Sequence, residues 1–134
     1  MRKATREWVK KAEDDHHTAI FVAGAVPPRP DQVCYHCQQA AEKYLKALLE
    51  ELGHLVPKTH DLVHLTSLLL PQHPGLKSVG RGLPVLNRYG VSIRYPGDNT
   101  TKRQAASALR WAARVRAACR AILGLREPRP PKSP

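Results

Sequence analysis

Large aromatic and thioether side chains are scarce in this sequence. One Phe and one Met occur in 134 residues, and aromatics make up 5%. A core cannot rest on big rings, so it must come from Leu, Ala and Val with two Trp. Cysteine is scarce as well: three residues, an odd number, do not make a disulfide framework. A reduced, cytoplasmic setting is therefore expected. No apolar run approaches the roughly 20 residues that span a bilayer, since stretches such as Ala19 to Val26 fall far short. The opening MRKATREWVKKAEDDHH is basic but has no apolar centre, which does not fit a secretory signal. Acidic residues are few. Eleven Asp and Glu stand against 22 Lys and Arg, a net charge of +11. From Lys102 to Pro134 there are nine basic residues and a single acid, Glu127. Such a balance attracts polyanions, namely nucleic acid, nucleotides or an acidic protein, without choosing among them.

What is present reads as helix. Trp8, Ala12, Asp15, Ala19 and Val22 step by three and four along one face. The spacing predicts a first helix over Thr5–Ala23, stopped by Gly24 and the prolines Pro27, Pro28 and Pro30. A second helix is predicted from a cap at Asp31 to Leu52, ending at Gly53. A third is capped by Thr59, with Asp61 in its first turn, and ends before Pro71. Gly80, Gly82, Pro84 and Gly90 predict a broken helix between Leu76 and Ile93. Thr100 or Thr101 caps a last helix to Leu123, with Gly124 after it. No strand-like alternation and no repeat occur. The expected architecture is all-α, an antiparallel up-and-down four-helix bundle with an additional short helix. It occupies residues 1–125 as one domain, followed by a Pro-rich basic tail, 126–134, expected to be disordered.

Five groups of residues could carry chemistry. Cys34 and Cys37 flank Tyr35 and His36, but both thiols fall on the apolar stripe, where Cys behaves as a small hydrophobe. His60 and His64 are four apart on one helix. Neither pair reaches the four ligands of a zinc site, and no metal or cofactor is expected. Asp15 lies in an apolar stripe and needs a basic partner if buried. Gln38, Gln39, Glu42, Lys43 and Lys46 form a polar band on the second helix, by default a solvated face or else a cleft lining beside His36. The fifth group is Arg94-Tyr95-Pro96. Arg94 offers a planar fork for phosphate or carboxylate, and Tyr95 offers a stacking face and a hydroxyl. Alone, this pair also fits a helix-capping Arg and a loop-packing Tyr.

Together these segments resemble the HEPN family (higher eukaryotes and prokaryotes nucleotide-binding domain). The matching residues are Trp8, Ala12 to Asp15, Cys34 to Leu49, Pro57 to Leu62 and Arg94 to Pro96, in the family's order. The run Gln38-Gln39-Ala40-Ala41-Glu42-Lys43 is the most specific part. The resemblance implies a helical bundle that forms homodimers. It also implies binding of nucleotide or RNA, and pairing with a minimal nucleotidyltransferase in a prokaryotic two-gene toxin–antitoxin or stress module. The site it suggests contains Arg94 and Tyr95 with Asp15, Gln39, Lys46, His36 and His60. Other branches are metal-independent ribonucleases with an Arg-x4-6-His motif near the last helix. Here the last histidine is His73, so none follows Arg94. Arg29 and His36 match that spacing formally but sit in the wrong place. A ribonuclease would need His36 or His60 as its imidazole. A non-catalytic adaptor for an acidic partner is a third reading, motivated by the basic last helix.

Overall fold

The computed structural model describes residues 1–90 and 96–126. All regular structure among them is helical: α1 Lys3–Ala23, α2 Pro30–Glu51, α3 Leu62–Leu69, a 3₁₀ segment Pro74–Val79, α4 Gly82–Asn87 and α5 Lys102–Leu123. No described helix is long and apolar enough to cross a membrane.

Helix ends follow local chemistry, with two corrections to the expected caps. Arg29, not Asp31, is the N-cap residue of α2, and Pro30 occupies its first turn. The Asp31 carboxylate instead accepts from the Thr100 backbone N–H at 2.8 Å and the Thr100 hydroxyl at 2.7 Å. A long-range contact thus takes the oxygen that would have capped its own helix. In α3 the cap is Asp61, whose Oδ1 accepts from the Val63 and His64 N–H groups. Thr59 Oγ1 accepts from the Asp61 N–H one step upstream. The start is set by Asn87, which donates to Asp61 at 2.9 Å and accepts the Leu62 N–H at 2.8 Å. Thr101 caps α5 in a reciprocal box with Gln104, and Gly124 ends that helix at φ +70°. Gly53, at φ +76°, turns the chain out of α2.

The central helix is α2. Its buried residues run from Val33 to Leu49 on almost every side, so it is covered by α1 on one flank and α5 on another, with α3 against it. The short link between α1 and α2 makes them antiparallel neighbours. In contrast, α5 runs in the same direction as α2. Thr100 meets Asp31 at one end and Arg120 reaches Tyr44 at the other. That is an up-and-down path whose third leg is broken into short pieces. Ala105, Ala108 and Ala112 bury their small side chains, which lets α5 approach the core closely. Leu45, Leu48, Leu49, Leu62, Leu65, Leu69 and Leu86 fill most of its volume.

The expected broken helix is the 3₁₀ segment followed by α4. Gly82 is where the reason is steric. A Cβ there would sit 2.2 Å from Cδ2 and Cε3 of Trp111 on α5. Part of the expected stretch, 91–93, lies outside the described residues, as does 127–134 of the expected tail.

Candidate functional site

The polar residues of α2 form a connected strip rather than a solvated face. Gln38 is fully buried, and Glu42 and Lys46 are nearly so. Their spacing of four places them on one side of the helix. Gln38 Nε2 donates to Glu42 Oε1 and to the His60 carbonyl, each at 3.2 Å. Lys46 Nζ donates to Glu42 Oε2 at 3.2 Å and lies 5.6 Å from the centroid of the Trp8 ring. His60 Nδ1 is 2.9 Å from Glu42 Oε1. One carboxylate thus holds an ammonium, an amide and an imidazole, which is how a buried acid is made tolerable.

A second triad lies beside it. Asp15 of α1 takes Lys43 Nζ on Oδ2 and His36 Nδ1 on Oδ1, the latter at 2.9 Å. The expected basic partner of Asp15 is therefore Lys43, with His36 in addition. Gln39 joins the Glu42 group by donating to Gln38 Oε1 at 2.7 Å.

Both triads repeat one plan: Lys, carboxylate, His. In each, the carboxylate contacts Nδ1, so the ring is oriented and Nε2 is turned away from the acid. Exposure separates the members that could reach a ligand from those that support them. The His60 side chain is 66% exposed, His36 26% and Lys43 23%, whereas Lys46 is 8%. Lys46 therefore holds Glu42 against Trp8, while His60 is open to solvent and His36 and Lys43 are partly so.

Arg94 and Tyr95 lie outside the described residues. The residues that flank them are fixed on α2. On one side Gly90 is buried against Gln38, with its Cβ position 3.4 Å from the Gln38 amide. On the other, Thr100 is bonded to Asp31. Gln38 and Asp31 are seven residues apart on α2, about 10 Å along its axis. Gly90 and Thr100, described residues on either side of the Arg94 segment, thus both contact α2, the helix that carries most of the two triads.

The Cys34–Cys37 pair has no reactive character. Both thiols are buried. Burial pushes Cys34 up to about 11, with the Asp31 charge adding and hydrogen bonds from Thr100 and Tyr89 opposing. Burial and the neighbouring Cys34 push Cys37 up to about 12. Both stay protonated at neutral pH. His64 contributes its backbone N–H to the Asp61 cap. Among the described residues no group of three or more side chains converges to hold a metal ion.

A polar knot elsewhere escaped the sequence reading. Arg116 of α5 forms a two-pronged pair with Glu13 of α1 at 2.7 and 2.8 Å. Arg120 reaches the same carboxylate and the Tyr44 hydroxyl at 3.4 Å. Tyr44 itself donates to Glu13 Oε2. Burial raises the Glu13 carboxyl, but hydrogen bonds from Arg116 and Tyr44 and the charges of both arginines outweigh it and bring it down to about 2. In the sequence Glu13 is one acid among the charged residues of α1, with nothing to mark it out. Nothing local pairs it with residues over 100 positions away.

The described residues form an all-α bundle whose central helix carries buried polar side chains. The chain belongs to the HEPN family: the HEPN domain matches residues 5–122. It is similar to TT1696 from Thermus thermophilus, at 24% identity and a TM-score of 0.80, covering 90% of this chain and 98% of that one. It is also similar to ST0689, an archaeal HEPN homologue, at 24% identity and a TM-score of 0.73, covering 92% and 99%. At this identity the two structures show the fold. None of the curated proteins matches the chain.

Proposed function

We propose that this HEPN domain binds nucleotide or RNA phosphate along α2, with Arg94 gripping phosphate and Tyr95 stacking or donating its hydroxyl. His36, His60 and Lys43 supply donors beside them, and Asp15, Gln39 and Lys46 hold those donors in place. The observation that carries the reading is the pair of Lys–carboxylate–His triads on α2, the helix that Gly90 and Thr100 contact on either side of the Arg94 segment in sequence. Outward imidazoles and an ammonium suit an anion, and the net charge of +11 steers one toward the surface. Filter binding with ATP, GTP and a labelled 12-nucleotide RNA tests it. Arg94→Ala is expected to abolish binding, and unchanged affinity for all three probes refutes the assignment.

One observation favours ribonuclease activity as a second reading. The Asp15–His36 pair orients an imidazole as a general base requires, with Nδ1 on the carboxylate and Nε2 available for a ribose hydroxyl proton. Cleavage of RNA in EDTA that disappears in His36→Ala supports it. Absence of fragments across several RNAs removes it.

The working unit in this reading is a homodimer paired with a minimal nucleotidyltransferase, as one half of a toxin–antitoxin or stress module in the cytoplasm. Exposed apolar surface supports an interface: Phe21 is 84% and Val26 95% exposed, beside a groove of about 400 Å³ lined by Val22, Val33, Ala105 and Leu109. Light scattering checks the dimer. A monomeric mass at tens of micromolar contradicts it.

A further inference from the structure

We propose that the Trp111 face of α5 is a second binding site, for single-stranded nucleic acid, because a half-buried indole backed by Gly82 sits between Arg110 and Arg114 on a helix that carries no acid. Charge is segregated along this chain. From Leu62 to Arg126 there are eleven Lys and Arg and one acid, Asp98. Arg116 and Arg120 are committed to Glu13. Arg103, Arg110 and Arg114 are exposed and lie seven and four residues apart, on one side of α5. Among the described residues no carboxylate pairs with any of the three.

The aromatic element is built into this stripe. Trp111 rests on Gly82 so closely that no side chain fits between them. The glycine therefore backs the ring and keeps it flat against the fold. Arg110, Trp111 and Arg114 together line a hollow of about 260 Å³. The Arg114 guanidinium lies 5.0 Å from the ring centroid. A planar cation on an indole marks the position a nucleobase takes when it stacks there. The base replaces the guanidinium over the ring, and Arg114 turns to the adjoining phosphate. Arg81, next to Gly82, and Lys77 on the 3₁₀ segment are exposed and extend the positive surface beyond α5. An acidic protein would need the charges alone. The backed ring adds a feature that serves a base.

The site is separate from the strip on α2 and does not depend on that reading. The test uses the full chain in a Trp8→Phe background, so that Trp111 is the only indole. Titration with a 12-nucleotide oligo(U) at low salt is expected to quench its fluorescence. Arg110→Gln with Arg114→Gln changes two exposed side chains and leaves the fold intact, as circular dichroism will check. This double variant is expected to weaken binding about tenfold or more. It should also flatten the slope of log K against log salt by about 1.4, at roughly 0.7 for each lost phosphate contact. Arg94→Ala should leave the quench in place, which separates failure of this site from failure of the other. Unchanged affinity in the double variant overturns the proposal. Equal quenching by a poly-glutamate peptide also overturns it, in favour of an acidic protein partner.

Discussion

Replacing Glu13 with Gln isolates the knot that joins α1, α2 and α5. The substitution keeps the shape of the side chain and removes its charge. Arg116 loses a two-pronged ionic pair, and the buried Arg120 guanidinium loses its nearest carboxylate. Removing one partner of a buried pair costs about 3–5 kcal/mol. Glu13 and Arg116 keep some solvent contact, so about 2–3 kcal/mol is the reasoned loss. For a chain of this size that lowers Tm by about 7–10 °C. The pH dependence gives an independent check. Glu13 is held at about 2 in the folded protein against an ordinary 4.5. A carboxyl with a depressed folded pKa stabilises fully above 4.5, and that contribution disappears as pH falls toward 2. The gap corresponds to about 3 kcal/mol before screening and about 1–2 kcal/mol after it. Urea unfolding of both proteins between pH 7 and pH 2.5 measures this. The difference should be largest at pH 7 and shrink below pH 4.5. A Glu13→Gln protein within 0.5 kcal/mol of the parent at pH 7 refutes the reasoning.

Gly82→Ala drives a methyl into the Trp111 ring, so a loss of about 1–3 kcal/mol is expected, with a shift in indole emission. A fully stable variant with unaltered emission contradicts the close packing. The three thiols are buried and their pKa values are raised by that burial, so they should react with a disulfide reagent at neutral pH only as the protein unfolds. Rapid labelling of the native chain would show that at least one is accessible.

Much of the architecture was legible because it is written in local periodicity. Gly24, Gly53 and Gly124 stop their helices where the sequence places them, and Thr101 caps α5. The two misplaced caps have different causes. Asp31 is drawn away by Thr100, far along the chain, which no local rule can see, whereas in α3 the cap moves locally from Thr59 to Asp61, two residues on. Asp15 was marked by its position in an apolar stripe, and that position did require partners. The band from Gln38 to Lys46 looked solvated because charged residues usually are. A chain that surrounds α2 on most sides buries Gln38, Glu42 and Lys46, so these bond to one another and to His60, while the half-buried Lys43 turns to Asp15. The Glu13 knot was invisible for the same reason as the Asp31–Thr100 contact: its pairing is purely tertiary.

The most direct test of the α2 assignment follows the imidazoles themselves. Seven histidines give resolvable ring signals, and a titration with GTP or the 12-nucleotide RNA can be read at each. The account predicts that the His36 and His60 signals move together on binding, that His17 and His73 stay still, and that Arg94→Ala removes the movement. Binding that leaves both His36 and His60 unshifted would contradict it.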